Sequence, residues 1–252
     1  MKVIVLSSGS KGNTTYIETK NTKILIDAGN TSKYILEKLN QYEINPQEID
    51  AIFITHTHID HVKGLKVLLK TINPCVYITE KMRKELEYIN NFYIMDKETI
   101  ELKDMSIEVI KTSHDTEDSV GYIINNEDKS IVYITDTGYI NQKYYDALKN
   151  KDIYIMESNH DVEMLNNSSY PFATRKRILS DKGHLSNYDS AKYLSNFIGD
   201  KTKYILLAHL SEENNTKELA YQTLMDRLSK ENIKVENILI AEQNKETDYI
   251  TI

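Results

Sequence analysis

Short apolar runs separated by polar turns dominate the chain, and stretches with helical spacing interrupt them. The runs at 3–6, 15–18 and 23–27 have the length of strands, and 31–41 reads as a helix. A buried strand over 51–54 leads to a helix over 64–71, where Leu65, Leu68 and Leu69 recur at helical spacing. A strand at 76–79 precedes a helix at 80–90 with Leu86 and Ile89 on one face. Further short strands follow between 100 and 133, including 107–110, 121–124 and 131–134. The second half repeats the style, with a helix at 141–149, a strand at 153–157, helices at 173–180 and 187–197, and a strand at 204–207. A long amphipathic helix at 217–230 and terminal strands near 237–241 and 249–252 close the chain. Such interleaving suits an α/β sandwich of sheets covered by helices. No long linker, low-complexity tract or solenoid period divides it.

The junction after the strand at 51–54 concentrates the chemistry. It reads Thr55-His56-Thr57-His58-Ile59-Asp60-His61-Val62-Lys63-Gly64, three imidazoles and a carboxylate on one strand-to-helix connection. Imidazole suits zinc and its neighbours, while the carboxylate adds a harder oxygen ligand. In an extended run His56 and His58 point the same way and can share one metal. Asp60 and His61 follow a turn and can reach a second. A solvated histidine loop is the bland alternative, and this spacing behind a strand argues against it.

Two metals need more than four ligands, and isolated His and Asp stand at other strand ends. His114, just past the strand at 107–110, is the natural third imidazole for the His56/His58 metal, with Asp115 beside it as a coordinating or orienting group. Asp136 follows 131–134, and its two oxygens can bridge both metals. His209 follows 204–207 and suits the Asp60/His61 metal. His184 precedes a helix, with Ser186 or Asn187 as N-cap, and Glu157 at a strand end can orient it as a general acid requires. For His160 a functional and a local structural role stand equal. Asp27 can hold a ligand histidine from behind. The loop carrying Ser10, Lys11 and Asn13 can present donors and a cation to a phosphate, although most such loops are only turns. Arg175, Lys176 and Arg177, with Lys182, form a basic run before His184: a solvated helix face or a contact for a polyanion.

Composition narrows the partners. The formal net charge of −7 gives no global attraction to nucleic acid or anionic membrane, so a polyanion must meet a local basic patch. No apolar run approaches the roughly 18 residues of a membrane span, and the start lacks the core and cleavage pattern of a secretory signal. The single cysteine, Cys75, forbids an internal disulfide and fits a reducing compartment, so a cytoplasmic location is expected.

His-x-His-x-Asp-His behind an apolar strand resembles the signature of the metallo-β-lactamase superfamily. That resemblance implies a four-layer αββα sandwich, here one domain over 1–252, with a dinuclear site along one edge of the sheets. Glu157 and Gly183-His184-Leu185-Ser186, paired with Ala208-His209-Leu210-Ser211, resemble the tRNA 3′-processing nuclease RNase Z, in which the matching histidine assists proton donation. No long Gly/Pro-rich insertion like that family's tRNA-binding arm is present. A wider match runs through Ser7-Ser8-Gly9-Ser10-Lys11-Gly12-Asn13, Leu25-Ile26-Asp27-Ala28-Gly29, Ser113-His114-Asp115, Glu157-Ser158-Asn159-His160-Asp161, Gly183-His184-Leu185-Ser186-Asn187 and Ala208-His209-Leu210-Ser211-Glu212-Glu213-Asn214-Asn215. It is similar to the YycJ/WalJ-like proteins.

The resemblance implies a metal-dependent phosphodiesterase or nuclease, with 5′-to-3′ exonuclease action on DNA and hydroxide generated at two divalent ions, zinc or manganese. The expected metal ligands are His56, His58, Asp60, His61, His114, Asp136 and His209. Asp60, His184 and Glu157 are the expected catalytic residues, and Ser10, Lys11, Asn13, Arg175, Lys176 and Arg177 the expected substrate contacts. The rival reading is a small-molecule hydrolase, either a thioester hydrolase of glyoxalase II type or a cyclic phosphodiesterase. A metal-binding regulatory module is a third, which the full ligand set and the unspent His184 oppose. No membrane partner is expected, and the oligomeric state is left open.

Overall fold

The computed structural model describes residues 1–252. Its strands are β1 Lys2–Ser7, β2 Thr14–Glu18, β3 Lys23–Ile26, β4 Ala51–Phe53, β5 Cys75–Ile78, β6 Phe92–Ile94, β7 Thr99–Leu102, β8 Met105–Lys111, β9 Val120–Asn126, β10 Lys129–Ile134, β11 Ile153–Glu157, β12 Tyr204–Ala208, β13 Asn237–Ile240 and β14 Ile250–Thr251. The α-helical segments are α1 Ser32–Gln41, α2 Ile59–Val62, α3 Leu65–Leu68, α4 Tyr145–Leu148, α5 Val162–Asn167, α6 Phe172–Ile178, α7 Asn187–Phe197 and α8 Lys217–Lys230. No helix is long and apolar enough to cross a membrane.

Two seven-stranded sheets result, ordered β14-β1-β2-β3-β4-β5-β6 and β13-β12-β11-β10-β9-β8-β7. Each begins antiparallel and continues parallel, from β3 to β6 in the first and from β10 to β13 in the second. Parallel neighbours need crossovers, and most of the helices lie in them. Period-two alternation divides the burial. Ile131, Tyr133, Ile153, Ile155, Leu206 and Ala208 join the core shared with the first sheet. Tyr154, Met156, Ile205 and Leu207 pack instead with Leu194, Phe197, Leu224 and Leu228 of α7 and α8. Covering both faces makes these strands read as continuous apolar runs. Phe53 stacks on Tyr77 with ring centroids 4.3 Å apart and meets Tyr122 of the opposite sheet edge-on at 5.6 Å. The Tyr122 hydroxyl donates to the Ile54 carbonyl at 2.6 Å, which pins the start of the histidine loop.

The expected helix over 80–90 is a 3₁₀ turn, Lys81–Lys84, followed by further turns. Its apolar face is real, since Met82, Leu86 and Ile89 are buried. However, the backbone bonds are largely of the i to i+3 kind, and the Arg83 guanidinium takes the Leu86 carbonyl. The expected helix over 141–149 divides into a 3₁₀ turn, Gln142–Tyr144, and the single turn α4. Strand β6 and helix α5 were not anticipated. β6 is only half-buried and lies at a sheet edge, so its alternation is weak. α5 is short, and its start rests on Asp161 accepting from the Met164 amide.

Gly29 is where the fold admits the histidine loop. A Cβ there would stand 1.7 Å from the Asp60 carbonyl oxygen and 2.6 Å from the Asn13 nitrogen. Gly29→Ala should therefore push the 58–61 segment outward and cost about 1–3 kcal/mol, the usual penalty for overpacking. Urea unfolding measures this, and an unchanged midpoint would show that the segment shifts freely.

Candidate metal centre

The candidate site side chains come from the carboxyl ends of β3, β4, β8, β10, β11 and β12, which open on the same edge of the two sheets. Three of them leave their strand through a left-handed backbone: Asp27 at φ 60°, Asp136 at 55° and His209 at 55°. Residues other than glycine adopt this region at a cost of order 1 kcal/mol or more, and it concentrates at functional sites. Here it turns the chain sharply just past the strand.

His56, His58 and His114 bring one ligand nitrogen each within 4.8 Å of one another, Asp60, His61, Asp136 and His209 form a second such group, and Asp136, Glu157, His184 and His209 form a third that overlaps the second. The second nitrogen of most rings is held from outside. His61 Nδ1 lies 2.7 Å from Asp27 Oδ2, and His209 Nδ1 lies 3.0 Å from Glu157 Oε1. His114 Nδ1 lies 3.1 Å from the Gly183 carbonyl, and His56 Nδ1 lies 3.1 Å from Thr55 Oγ1. Such outer bonds fix ring orientation and present the opposite nitrogen to a cation. Asp136 faces both groups, with Oδ2 3.1 Å from His61 Nε2 and Oδ1 3.7 Å from His114 Nε2. His56 Nε2 and His209 Nε2 are buried with no hydrogen-bond partner, which a divalent ion would satisfy. The donor set of imidazole and carboxylate fits zinc or manganese.

Electrostatics separates the two groups. Burial holds His56 well below its ordinary pKa, so its ring is neutral. Burial also opposes charge on His209, but Asp136, Asp60 and Glu157 push it up to about 10. His61 is raised as well, against burial, by Asp136 and Asp27. The carboxylate-rich group thus carries protons where a cation would otherwise balance the charge.

Glu157 is fully buried, and burial alone would raise its pKa, yet His184 and His209 hold it down at about 2. One oxygen, Oε1, meets both His184 Nδ1 at 2.7 Å and His209 Nδ1 at 3.0 Å. The other accepts from the Thr137 and Leu185 amides at 3.1 and 3.0 Å. His184 is only slightly exposed and lines a cavity of about 310 Å³ with Ser10, His58, Asp60, Arg177 and Tyr170. Ser186 is the N-cap of α7, accepting from the Asp189 amide. His160 is buried, with both ring nitrogens unpartnered and its pKa lowered by burial to about 4.

The expected substrate contacts divide. Ser10 and Arg177 line the cavity. Asn13 does not line the cavity: it is 1% exposed, and its amide donates to the Gly9 carbonyl and to Asp60 Oδ2 at 3.2 Å, so it positions Asp60. Lys11 is tied to Glu212 at 2.7 Å. Arg175 turns back to the Asn166 carbonyl, and Lys176 is exposed away from the cavity lining. Helical rotation explains the split, because consecutive residues on α6 point about 100° apart. Sequence reasoning missed Thr55, whose amide and hydroxyl meet Asp27 at 2.8 and 2.9 Å. It also missed the cavity residues Tyr170 and Thr174, and an amide lattice in which Asn187 and Asn215 lock Ser158. Only the paired Asn at 214–215 signalled that lattice.

Fold and site together define a metallo-β-lactamase-type hydrolase: residues 22–207 match the family described as Beta-lactamase superfamily domain, and the chain belongs to that superfamily. Within it the chain belongs to the family of the WalJ and YycJ exodeoxyribonucleases. It is 40% identical over 243 residues to exodeoxyribonuclease WalJ of Streptococcus pneumoniae, covering 93% of this chain and 90% of that protein. It is 38% identical over 238 residues to exodeoxyribonuclease YycJ of Bacillus anthracis, covering 92% and 90%. The metallo-β-lactamase fold protein YhfI of Bacillus subtilis superposes with a TM-score of 0.73 at 16% identity, over 98% of this chain and 99% of that one, a likeness of fold.

Titration with zinc or manganese should load about two cations and release protons, because His61 and His209 are held protonated and must give up their charge to coordinate. Affinity should therefore rise with pH. Calorimetry in buffers of different ionisation enthalpy reads the proton count, and absence of uptake would remove the metal centre.

Proposed function

We propose that the chain is a metal-dependent exodeoxyribonuclease acting 5′ to 3′ on DNA, as a single cytoplasmic hydrolase domain over 1–252. His56, His58 and His114 would hold one divalent cation, Asp60, His61 and His209 a second, and Asp136 would bridge them. Support for the substrate class comes from the two relatives, both exodeoxyribonucleases, that match about nine-tenths of its length. The observation that carries the chemistry is the single Glu157 oxygen shared by His184 and His209. It sets an imidazole that neither three-histidine nor carboxylate-rich group requires directly beside them.

Bound divalent cations supply Lewis acidity toward a phosphodiester and lower the pKa of water. The chain's own residues do the rest. Asp60, 3.5 Å from both His61 Nε2 and His209 Nε2, orients the attacking water as well as offering a ligand oxygen. Glu157 is an anion at neutral pH and holds His184 through Nδ1. His184 lines the cavity and, with Nδ1 held by Glu157, delivers a proton from Nε2 to the leaving oxygen. Ser10 and Arg177 meet substrate phosphates, which compensates locally for a net charge of −7.

Digestion of end-labelled single- and double-stranded DNA and RNA with zinc, manganese and magnesium tests the reading. Stepwise loss of nucleotides from the 5′ end of DNA is expected. Turnover of a thioester without turnover of bis-p-nitrophenyl phosphate would move the assignment to a small-molecule hydrolase.

His184→Ala should keep both metals and bind DNA, while turnover falls roughly 10²–10⁴-fold, the usual worth of a positioned general acid. The loss should shrink for a p-nitrophenolate leaving group, which needs little protonation. Glu157→Gln should show a milder form of that pattern together with weaker metal binding, because the same oxygen holds His209. An equal loss on good and poor leaving groups would exclude the acid role, and loss of a metal from His184→Ala would make His184 a ligand.

A further inference from the structure

One carboxylate beside the three-histidine group, Asp115, stands outside the proposed ligand set and mechanism. Asp115 Oδ1 lies 3.3 Å from His114 Nε2 and 3.9 Å from His58 Nε2, is buried, and has no hydrogen-bond partner. Its other oxygen, Oδ2, pairs with Arg177 Nη1 at 2.6 Å. Arg177 stands in the last turn of α6 and lines the cavity together with His58, His114 and Asp136. The carboxylate therefore points one way at two ligand imidazoles and the other way at the cavity's guanidinium.

A desolvated carboxylate oxygen without a donor is costly unless something positive meets it. Of the two nitrogens facing it, His114 Nε2 also lies 3.2 Å from His58 Nδ1 and is the atom that would face a cation, whereas His58 turns its outer nitrogen, Nε2, toward the carboxylate. On its other side, a guanidinium has five N–H donors on a planar fork, so one edge can hold a carboxylate while the remaining donors meet a phosphate. The Arg177 side chain is 52% exposed, so the ion pair itself adds little to stability. What the pair does is geometric: it removes the rotamer freedom of a long side chain at the cavity mouth before substrate arrives.

We propose that Asp115 is a positioning residue that ties the His56/His58/His114 metal position to the substrate, Oδ1 adding an oxygen donor to the cation there and Oδ2 holding the Arg177 guanidinium for a phosphate of the DNA strand. This rests on the metal-dependent nuclease reading. It adds that metal occupancy and phosphate binding are mechanically joined on this side of the site. It also adds a preference, because a carboxylate oxygen beside three imidazoles makes the position more hospitable to manganese than imidazoles alone would.

Asp115→Asn, Arg177→Ala and the double variant separate the links. Metal affinity is read by chelator competition, and DNA affinity by anisotropy of a labelled phosphorothioate oligonucleotide on the metal-loaded protein. Asp115→Asn should weaken one of the two metals on the order of tenfold or more, manganese more than zinc. It should also weaken DNA binding as far as Arg177→Ala does, roughly tenfold, the worth of a charge-assisted hydrogen bond. Arg177→Ala should leave metal affinity alone, and the double variant should bind DNA no worse than Arg177→Ala. Parental metal affinity in Asp115→Asn, tighter DNA binding by it, or losses that multiply in the double variant would overturn the proposal. A parent protein that takes up metal and degrades DNA, with any of those results, sinks only the bridge. A parent that does neither sinks the nuclease reading and the bridge with it.

Discussion

Three carboxylates with almost no access to water, Asp27, Asp136 and Glu157, govern the architecture of the site. A buried anion is tolerated only when paired and hydrogen-bonded. Each of these meets histidine: Asp27 meets His61, Asp136 meets His61 and His209, and Glu157 meets His184 and His209. Backbone amides take remaining oxygens of Asp27 and Glu157. His61 and His209 each join two of these carboxylates, and Glu157 joins two of the imidazoles, so the group behaves as a connected unit rather than as independent pairs.

That unit exists because two sheets end together. β3 and β4 of one sheet and β8, β10, β11 and β12 of the other deliver their last residues to a common edge. The chain then turns within one residue at Asp27, Asp136 and His209, at the cost of a left-handed backbone. Contacts across the sandwich hold the arrangement. The Tyr122 hydroxyl and the Val120 amide of one sheet bind the Ile54 and Thr55 carbonyls at the root of the histidine loop of the other. Stability of the inter-sheet core and precision of the site are therefore the same property seen at two distances.

The surface chemistry follows a different logic. An acidic protein that handles a polyanion must confine positive charge to the place where phosphate arrives. Here much of the basic side-chain inventory is already paired: Lys11 with Glu212 and Lys217 with Glu242, for example. Arg177 is also paired, but with a carboxylate on the cavity wall, so its charge remains at the site.

The sequence by itself determined most of the strands, the central ones of which have apolar runs that record burial on both faces, and the longer helices α1, α7 and α8, whose faces and caps are local. It also determined the candidate ligands, because His-x-His-x-Asp-His, with His114, Asp136 and His209 at strand ends, is a pattern written in neighbouring residues. Only the tertiary structure decided which partners those residues take. That one Glu157 oxygen serves two histidines 27 and 52 positions away, that Asn13 is spent on Asp60, and that Arg177 alone of three adjacent basic residues reaches the cavity are long-range facts. Periodicity reports which side of an element is buried, but not what another element brings against it, and in this protein the chemistry is made by what is brought.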